Sequence, residues 1–404
     1  MSWGSARALA AGSACPLGPV SVPLSDALGC RLAAPLVALV AVPGVDVSAM
    51  DGYAVAGSGP WRVVGQVLAG GAPHEGELRP GEAVEIATGA PTPAGADSVL
   101  PYEHADVGLA AASRTDAVRV AGAVEAGRHI RRRGEDIAEG AVVLGAGAVV
   151  TPVVLGLAAG LGHDELRVRP RPRVTVLVTG DEVVHQGLPG PGRVRDAIGP
   201  FLPGLVEWAG GRVTGTARVP DGQEALRAAL AGPPAAAPDG VGLAARPVAS
   251  ADVIVACGAS SKGPADHLRK VLGDLGADVL VDGVAVRPGH PQLLARLPGG
   301  QLVVGLPGNP FAALAAALTL LAPIVRELAG TPVRKETSAL AGEVRTHPHN
   351  TRLVPVRRSG RGAVPVGHDR PGSLWGAALA EALAVVPPGW AGEQVELIEL
   401  PPGG

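Results

Sequence analysis

Strand–helix alternation between residues 171 and 330 restricts the fold of this chain more than any other feature. Apolar, largely β-branched runs recur there: VTVLV at 174–178, ARV at 217–219, DVIVA at 252–256 and LVVGL at 302–306. Helix patterns lie between them near 199–209, 222–231 and 264–275, and another begins at 310. Near-continuous apolar strands separated by helices predict a parallel, helix-covered sheet. Residues 232–250 are low in complexity and lack a period, as in an inserted loop.

The flanks read differently. Between 46 and about 135, short β-like runs (Trp61–Val67, Ala83–Ile86, Ser98–Pro101, Ala117–Val120) are separated by Gly, Pro and Asp, which predicts a compact, mostly antiparallel β domain. Residues 1–45 carry one modest apolar segment, Leu24 to Val42. The later run VVTPVVLGLAAGLG (149–162) is a candidate helix packing back on it. From about 331 the chain returns to short strands and Pro/Gly turns, as in a small β domain. A chain of 404 residues exceeds one ordinary core, so roughly two to four domains are expected. Aromatics are only 2% of residues, which leaves Val, Leu and Ala to build those cores.

A formal net charge of -3 supplies no electrostatic reason for a nucleic-acid or anionic-membrane partner. Cys15, Cys30 and Cys257 form no Cys-x-x-Cys pair, which predicts a reducing, cytoplasmic setting. The small-residue N-terminus is too short and too broken by Gly and Ser for a secretion signal. The uncharged stretch Asn309 to Val325 falls short of a bilayer span.

In open α/β sheets ligands sit beyond the carboxyl ends of the strands. Three apolar runs end in polar or glycine-rich text: Thr179-Gly180-Asp181-Glu182, Cys257-Gly258-Ala259-Ser260-Ser261-Lys262-Gly263, and Leu306-Pro307-Gly308-Asn309-Pro310. The last is a good helix start, with Asn309 to cap and Pro310 at the first helical position, and its N–H groups suit an anion. Asp181, Glu182 and Asp266 beside a bare phosphate would repel it. A divalent cation such as Mg²⁺ resolves the conflict. Taken singly, each motif is also an ordinary turn or strand–helix connection.

Taken together they resemble a known family. Ser48-Ala49-Met50-Asp51-Gly52-Tyr53-Ala54-Val55 is similar to the hallmark of the molybdopterin molybdenumtransferases, which include the E domain of gephyrin. Ala87-Thr88-Gly89-Ala90-Pro91, Ala96-Asp97-Ser98-Val99, Arg133-Gly134-Glu135-Asp136-Ile137, Thr179-Gly180-Asp181-Glu182, Arg287-Pro288-Gly289-His290-Pro291 and Leu306-Pro307-Gly308-Asn309-Pro310 follow in the family's order. The resemblance spans roughly 20 to 400.

It implies a multidomain α/β plus β subunit. Domain I would be discontinuous (1–45 and 138–172), domain II a β insertion (46–137), domain III the molybdopterin-binding α/β domain (173–330), and domain IV a small β-barrel (331–404). It also implies a homodimer in which the β insertion of one subunit approaches the α/β domain of the other. Further partners would be molybdopterin adenylyltransferase and molybdoenzyme maturation proteins. The implied reaction ligates molybdate to the dithiolene of adenylylated molybdopterin and hydrolyses the phosphoanhydride to release AMP, with Mg²⁺ or another divalent cation. Asp51, Thr88, Asp136, Glu182, Asp221 and Asp266 match the catalytic positions, with Asp51, Glu182 and Asp266 as metal ligands. Thr179, Gly180, Gly258, Ser260, Pro288, Pro307, Gly308 and Asn309 would hold the pterin substrate, and Arg287, Arg352 and Ser373 the oxyanion. Molybdate is a tetrahedral dianion, so fixed positive charge is what its site requires. The basic run Arg128–Arg133 reads as a solvated edge.

The chain departs from the family at four places. Ala259 interrupts the usual Gly-Gly-x-Ser, Arg-Pro-Gly-His-Pro replaces Lys-Pro-Gly-Lys-Pro, Gly283 stands for a lysine, and Ile198 for an asparagine. These bear on anion affinity and rate. They leave open a non-catalytic pterin-binding or scaffolding paralogue, while a molybdopterin adenylyltransferase would share only the α/β domain.

Overall fold

A computed structural model describes residues 1–109, 118–231, 251–258, 267–332 and 335–401. It divides into two compact units, one of residues 1–21, 29–33 and 167–404, the other of 22–28 and 34–166.

In the first unit, a six-stranded sheet runs in the order 212–219, 173–179, 253–257, 302–306, 293–296, 278–282. The first four strands are parallel, as the alternation predicts. The last two, Leu293–Arg296 and Asp278–Asp282, are antiparallel additions that the sequence reading did not include. All five residues of Val253–Cys257 and of Leu302–Leu306 are buried. Successive side chains of a strand point to opposite faces, and both faces here are covered. Val253 and Val255 join a core with Leu202, Leu205 and Leu318, while Ile254 and Ala256 join one with Leu226, Leu268 and Leu272. Each such buried aliphatic side chain contributes about 1.5–3 kcal/mol. The helices Leu202–Trp208, Gln223–Ala231 and Leu268–Asp274 fall where the sequence patterns place them.

The helix at 310 continues to Ala329, beyond the uncharged stretch read from the sequence. By length and apolarity alone it could cross a bilayer, but 89% of its most apolar window is buried inside the fold. Pro310 occupies its first turn and Gly330, in a left-handed conformation (φ 65°), ends it. The N-terminal segment, read from sequence only as a poor leader, is a helix, Trp3–Gly12. Its Trp3 is buried and donates its indole N–H to Thr319 Oγ1 at 3.1 Å.

The C-terminal strands form a sheet in the order 286–287, 351–359, 382–386, 394–399, 336–339. The strand Gly362–Pro365 pairs back on Thr351–Ser359, and a bridge between Leu340 and Ala363 closes the ring, giving the expected small barrel. Gly362 is required at the closure because a Cβ there would sit 2.4 Å from the Ala339 carbonyl oxygen.

The second unit is built on the sheet 98–101, 52–55, 82–86, 61–67, 118–121, 106–109. Every pairing in it is antiparallel except that between Trp61–Val67 and Glu82–Ile86. The helix Pro152–Gly160 forms as expected, with Thr151 Oγ1 accepting the Val154 N–H, and the turn after it joins the segment near Val37 through His163. Most of that helix stays exposed, Val153 to 80%.

Candidate functional site

In the first unit the ends of three parallel strands meet. Thr179 Oγ1 donates to the Cys257 carbonyl at 2.8 Å, and the Gly258 N–H donates to Leu306 O at 3.0 Å. Gly258 has the left-handed φ of 83° that favours glycine, and a Cβ there would lie 3.1 Å from Thr179 O, a tight contact. Thr179, Gly180, Gly258, Pro307 and Gly308 therefore fall at one edge of the sheet. Asp181 and Asp221 are tied across it: each carboxylate accepts the other's backbone N–H at 3.3 Å. Glu182 is exposed beside Gly180. Ser260 and Asp266 lie outside the described residues.

Beside this edge a cavity of about 670 Å³ opens between the 286–291 and 307–312 segments and the C-terminal barrel. Val286–Arg287 pairs in parallel with Thr351–Arg352, so Arg287 and Arg352, sixty-odd residues apart in sequence, are direct register partners. Both line the cavity, with Pro288, Pro307 and Asn309. Arg352 is ion-paired to Asp369, and its Nη1 donates to the Arg345 carbonyl at 2.7 Å. Arg345, His347, Asn350 and Asp369 line the same cavity and were missed by sequence reasoning. The turn Thr346–Asn350, placed directly before the strand that carries Arg352, was the available signal. His347 Nδ1 accepts the N–H groups of His349 and Asn350, both at 3.1 Å. Desolvation, then the charges of Arg287, His349 and Arg352, hold its pKa below the usual histidine value.

Two expectations are corrected. Asn309 makes no side-chain cap. The first N–H groups of its helix, at Phe311 and Ala312, donate to Pro371 O at 2.9 and 3.4 Å, so they are spent on the protein's own carbonyl rather than offered to an anion. Ser373 is not among the cavity-lining residues; its hydroxyl accepts the Trp375 N–H at 3.2 Å. The departures have physical content too. Ile198 is buried in the apolar core, its backbone N–H held by Asp196. Gly283 is left-handed (φ 80°), with the His290 ring 3.7 Å from where a Cβ would be, so a lysine there would be strained.

In the second unit, Asp51 Oδ1 accepts the Thr88 N–H at 2.7 Å, joining two of the predicted residues. Ser48 stitches the same loops: its N–H donates to Ala90 O and its carbonyl accepts from the Gly89 N–H. Asp136 is ion-paired with Arg131, Asp46 with Arg132 and Glu139 with Arg133. The basic run is thus an exposed edge, with Arg131, Arg132 and Arg133 each paired to a carboxylate. Asp51 belongs to one unit and Glu182 to the other. Among the described residues no group of three or more His, Cys, Asp and Glu side chains is arranged to hold a metal.

A largely parallel sheet whose strand ends abut at Thr179, Gly258 and Leu306, beside a cavity lined by arginines and bounded by a β-barrel, places the chain among α/β proteins with β-rich accessory domains. Comparisons with known proteins make this specific. Residues 1–162 match the MoeA N-terminal region (domain I and II), 175–327 a probable molybdopterin binding domain, and 337–400 the MoeA C-terminal region (domain IV). The chain is 36% identical over 351 residues to molybdopterin molybdenumtransferase 2 of Mycobacterium tuberculosis, covering 83% of this chain and 82% of that protein. It is also 36% identical over 323 residues to the Synechococcus elongatus molybdopterin molybdenumtransferase, covering 77% and 75%. A molybdopterin biosynthesis MoeA crystal structure from Pyrococcus horikosii superposes with a TM-score of 0.73 at 26% identity, covering all of both chains. The chain belongs to the molybdopterin molybdenumtransferase family, a family of transferases.

Proposed function

We propose that the chain inserts molybdate into adenylylated molybdopterin and releases AMP, completing the molybdenum cofactor in the cytoplasm. The observation that carries this is the register pairing of Arg287 with Arg352 on the cavity wall. Two adjacent guanidiniums suit a tetrahedral dianion, because each presents planar, permanently charged donors. In this reading the strand ends at Thr179–Gly180, Gly258 and Pro307–Gly308 seat the pterin, and the domains divide at 45, 137, 172 and 330. The matches on both sides of the α/β domain speak against an adenylyltransferase, which would share that domain alone.

A divalent cation, Mg²⁺ by its preference for oxygen donors, would neutralise the anhydride oxygens, and Asp51, Glu182 and Asp266 are each proposed as one of its carboxylate ligands. Hard carboxylate donors fit it, and Glu182 is exposed and without an ion pair among the described residues. Asp51, through the Thr88 N–H, orders the loop that carries Thr88. Adenylylated molybdopterin should yield AMP only when molybdate and a divalent cation are both present. Full AMP release in excess chelator would remove the metal from the reading, and release indifferent to molybdate would favour a paralogue without transferase activity.

The working unit in this reading is a homodimer. Val153 (80% exposed), on the helix Pro152–Gly160, and Val149 (40%), just before it, leave apolar surface there. Burial of such surface by a second copy is favourable at about 25 cal/mol per Å². Light scattering should give twice the chain mass, and Val153→Glu should lower it toward one. A fully active monomer would refute the dimer. Molybdopterin adenylyltransferase and molybdoenzyme maturation proteins complete the proposed partners.

A further inference from the structure

Arg287 and Arg352 are like charges placed side by side by strand register. Nothing in the strand pairing itself relieves that repulsion. Among the described residues Arg287 and Arg345 have no carboxylate within ion-pair distance, whereas Arg352 has Asp369. Both partners of this pair line the cavity, with side chains 22% and 36% exposed. Asp369 is the one carboxylate among the described lining residues. It comes from a different segment than the arginines, in the loop whose Pro371 carbonyl is fixed to the start of the Pro310 helix. The other end of the Arg352 guanidinium is held in place by the Arg345 carbonyl. Arg352 is therefore anchored on one side and covered by an anionic group on the side that an oxyanion would need.

We propose that Asp369 is a carboxylate latch on the oxyanion site: it occupies on Arg352 the place of the incoming dianion and leaves it when that anion binds. This rests on the reading of the cavity as the molybdate site. The exchange is non-covalent, one anionic oxygen replacing another on the same guanidinium. Its consequence is a threshold. A ligand must bind the arginine pair more strongly than Asp369 binds Arg352, so anions that the pair holds weakly drop below measurable binding while a strongly held dianion still enters. An intramolecular carboxylate is always present at high effective concentration, so the latch lowers affinity for every anion by the same factor.

Titrating molybdate alone into the full-length protein by calorimetry tests this. Asp369→Asn keeps the size of the side chain and its carbonyl oxygen but removes the charge, and should tighten molybdate binding about tenfold, the scale of one charge-assisted hydrogen bond. Asp369→Glu should return it toward the wild-type value, and thermal melts should establish that both variants are folded. Binding of perrhenate, a tetrahedral monoanion, should become measurable in Asp369→Asn only. Weaker or unchanged molybdate binding in a folded Asp369→Asn overturns the latch and makes Asp369 a positioning residue for Arg352. If neither protein binds molybdate and Arg352→Ala leaves AMP release untouched, the latch falls together with the site assignment beneath it.

Discussion

Gly52→Ala is expected to destabilise the protein by about 3 kcal/mol or more, the largest stability effect of any single methyl group in the hallmark segment. Gly52 lies in the strand Gly52–Val55, between Ser98–Pro101 and Glu82–Ile86. A Cβ at Gly52 would sit 2.1 Å from the Leu100 carbonyl oxygen and 2.9 Å from Pro101 Cα. Those atoms are backbone in a paired strand, so they cannot swing aside as a side-chain tip would. The sequence offers an Asp-Gly turn as the ordinary explanation of this glycine, but its φ is not positive, and close approach of the neighbouring strand is the reason for it. Gly89 is the internal control. Its φ is 78° and a Cβ would meet nothing within 4 Å, so Gly89→Ala should cost only the left-handed strain of about 1 kcal/mol. Chemical denaturation of the two variants should separate them clearly. Equal midpoints would mean that the strands can part to admit a methyl group.

Asp51→Ala should lower turnover roughly a hundredfold while costing about 1 kcal/mol of stability. The residue is exposed, and among the described residues the one hydrogen bond of its carboxylate is the 2.7 Å contact with the Thr88 N–H. An exposed hydrogen bond to a single N–H contributes at the low end of the charged range, because water replaces it when it is lost. A carboxylate required by the reaction, as metal ligand or as organiser of the Thr88 loop, would cost far more in rate than in folding. AMP release and thermal melting measured on the same preparation decide between these. A rate loss no larger than the stability loss accounts for would return Asp51 to a structural role.

Periodicity and punctuation made much of this fold legible. The runs at 174–178, 253–256 and 302–306 are strands because they are nearly continuous stretches of branched or small residues that can be buried on two faces at once. The same text gave no warning of the antiparallel strands 278–282 and 293–296, nor of the N-terminal helix. Trp3 and the alanines of that helix become meaningful only once Thr319 and the buried 310–329 helix are there to receive them.

At the candidate sites the division is similar. The sequence alone determined which residue types stand at the strand ends, because the apolar runs break locally into Thr179-Gly180 and Cys257-Gly258, and it determined that fixed positive charge is available at Arg287 and Arg352. Only the tertiary structure decided what those groups meet. It set Arg287 beside Arg352 through strand register, gave Arg352 to Asp369, and gave the N–H groups of the Pro310 helix to Pro371. Local sequence fixes backbone preference and the donors and acceptors a residue carries. Pairings between segments dozens of residues apart depend on register and packing, which no short stretch of sequence encodes.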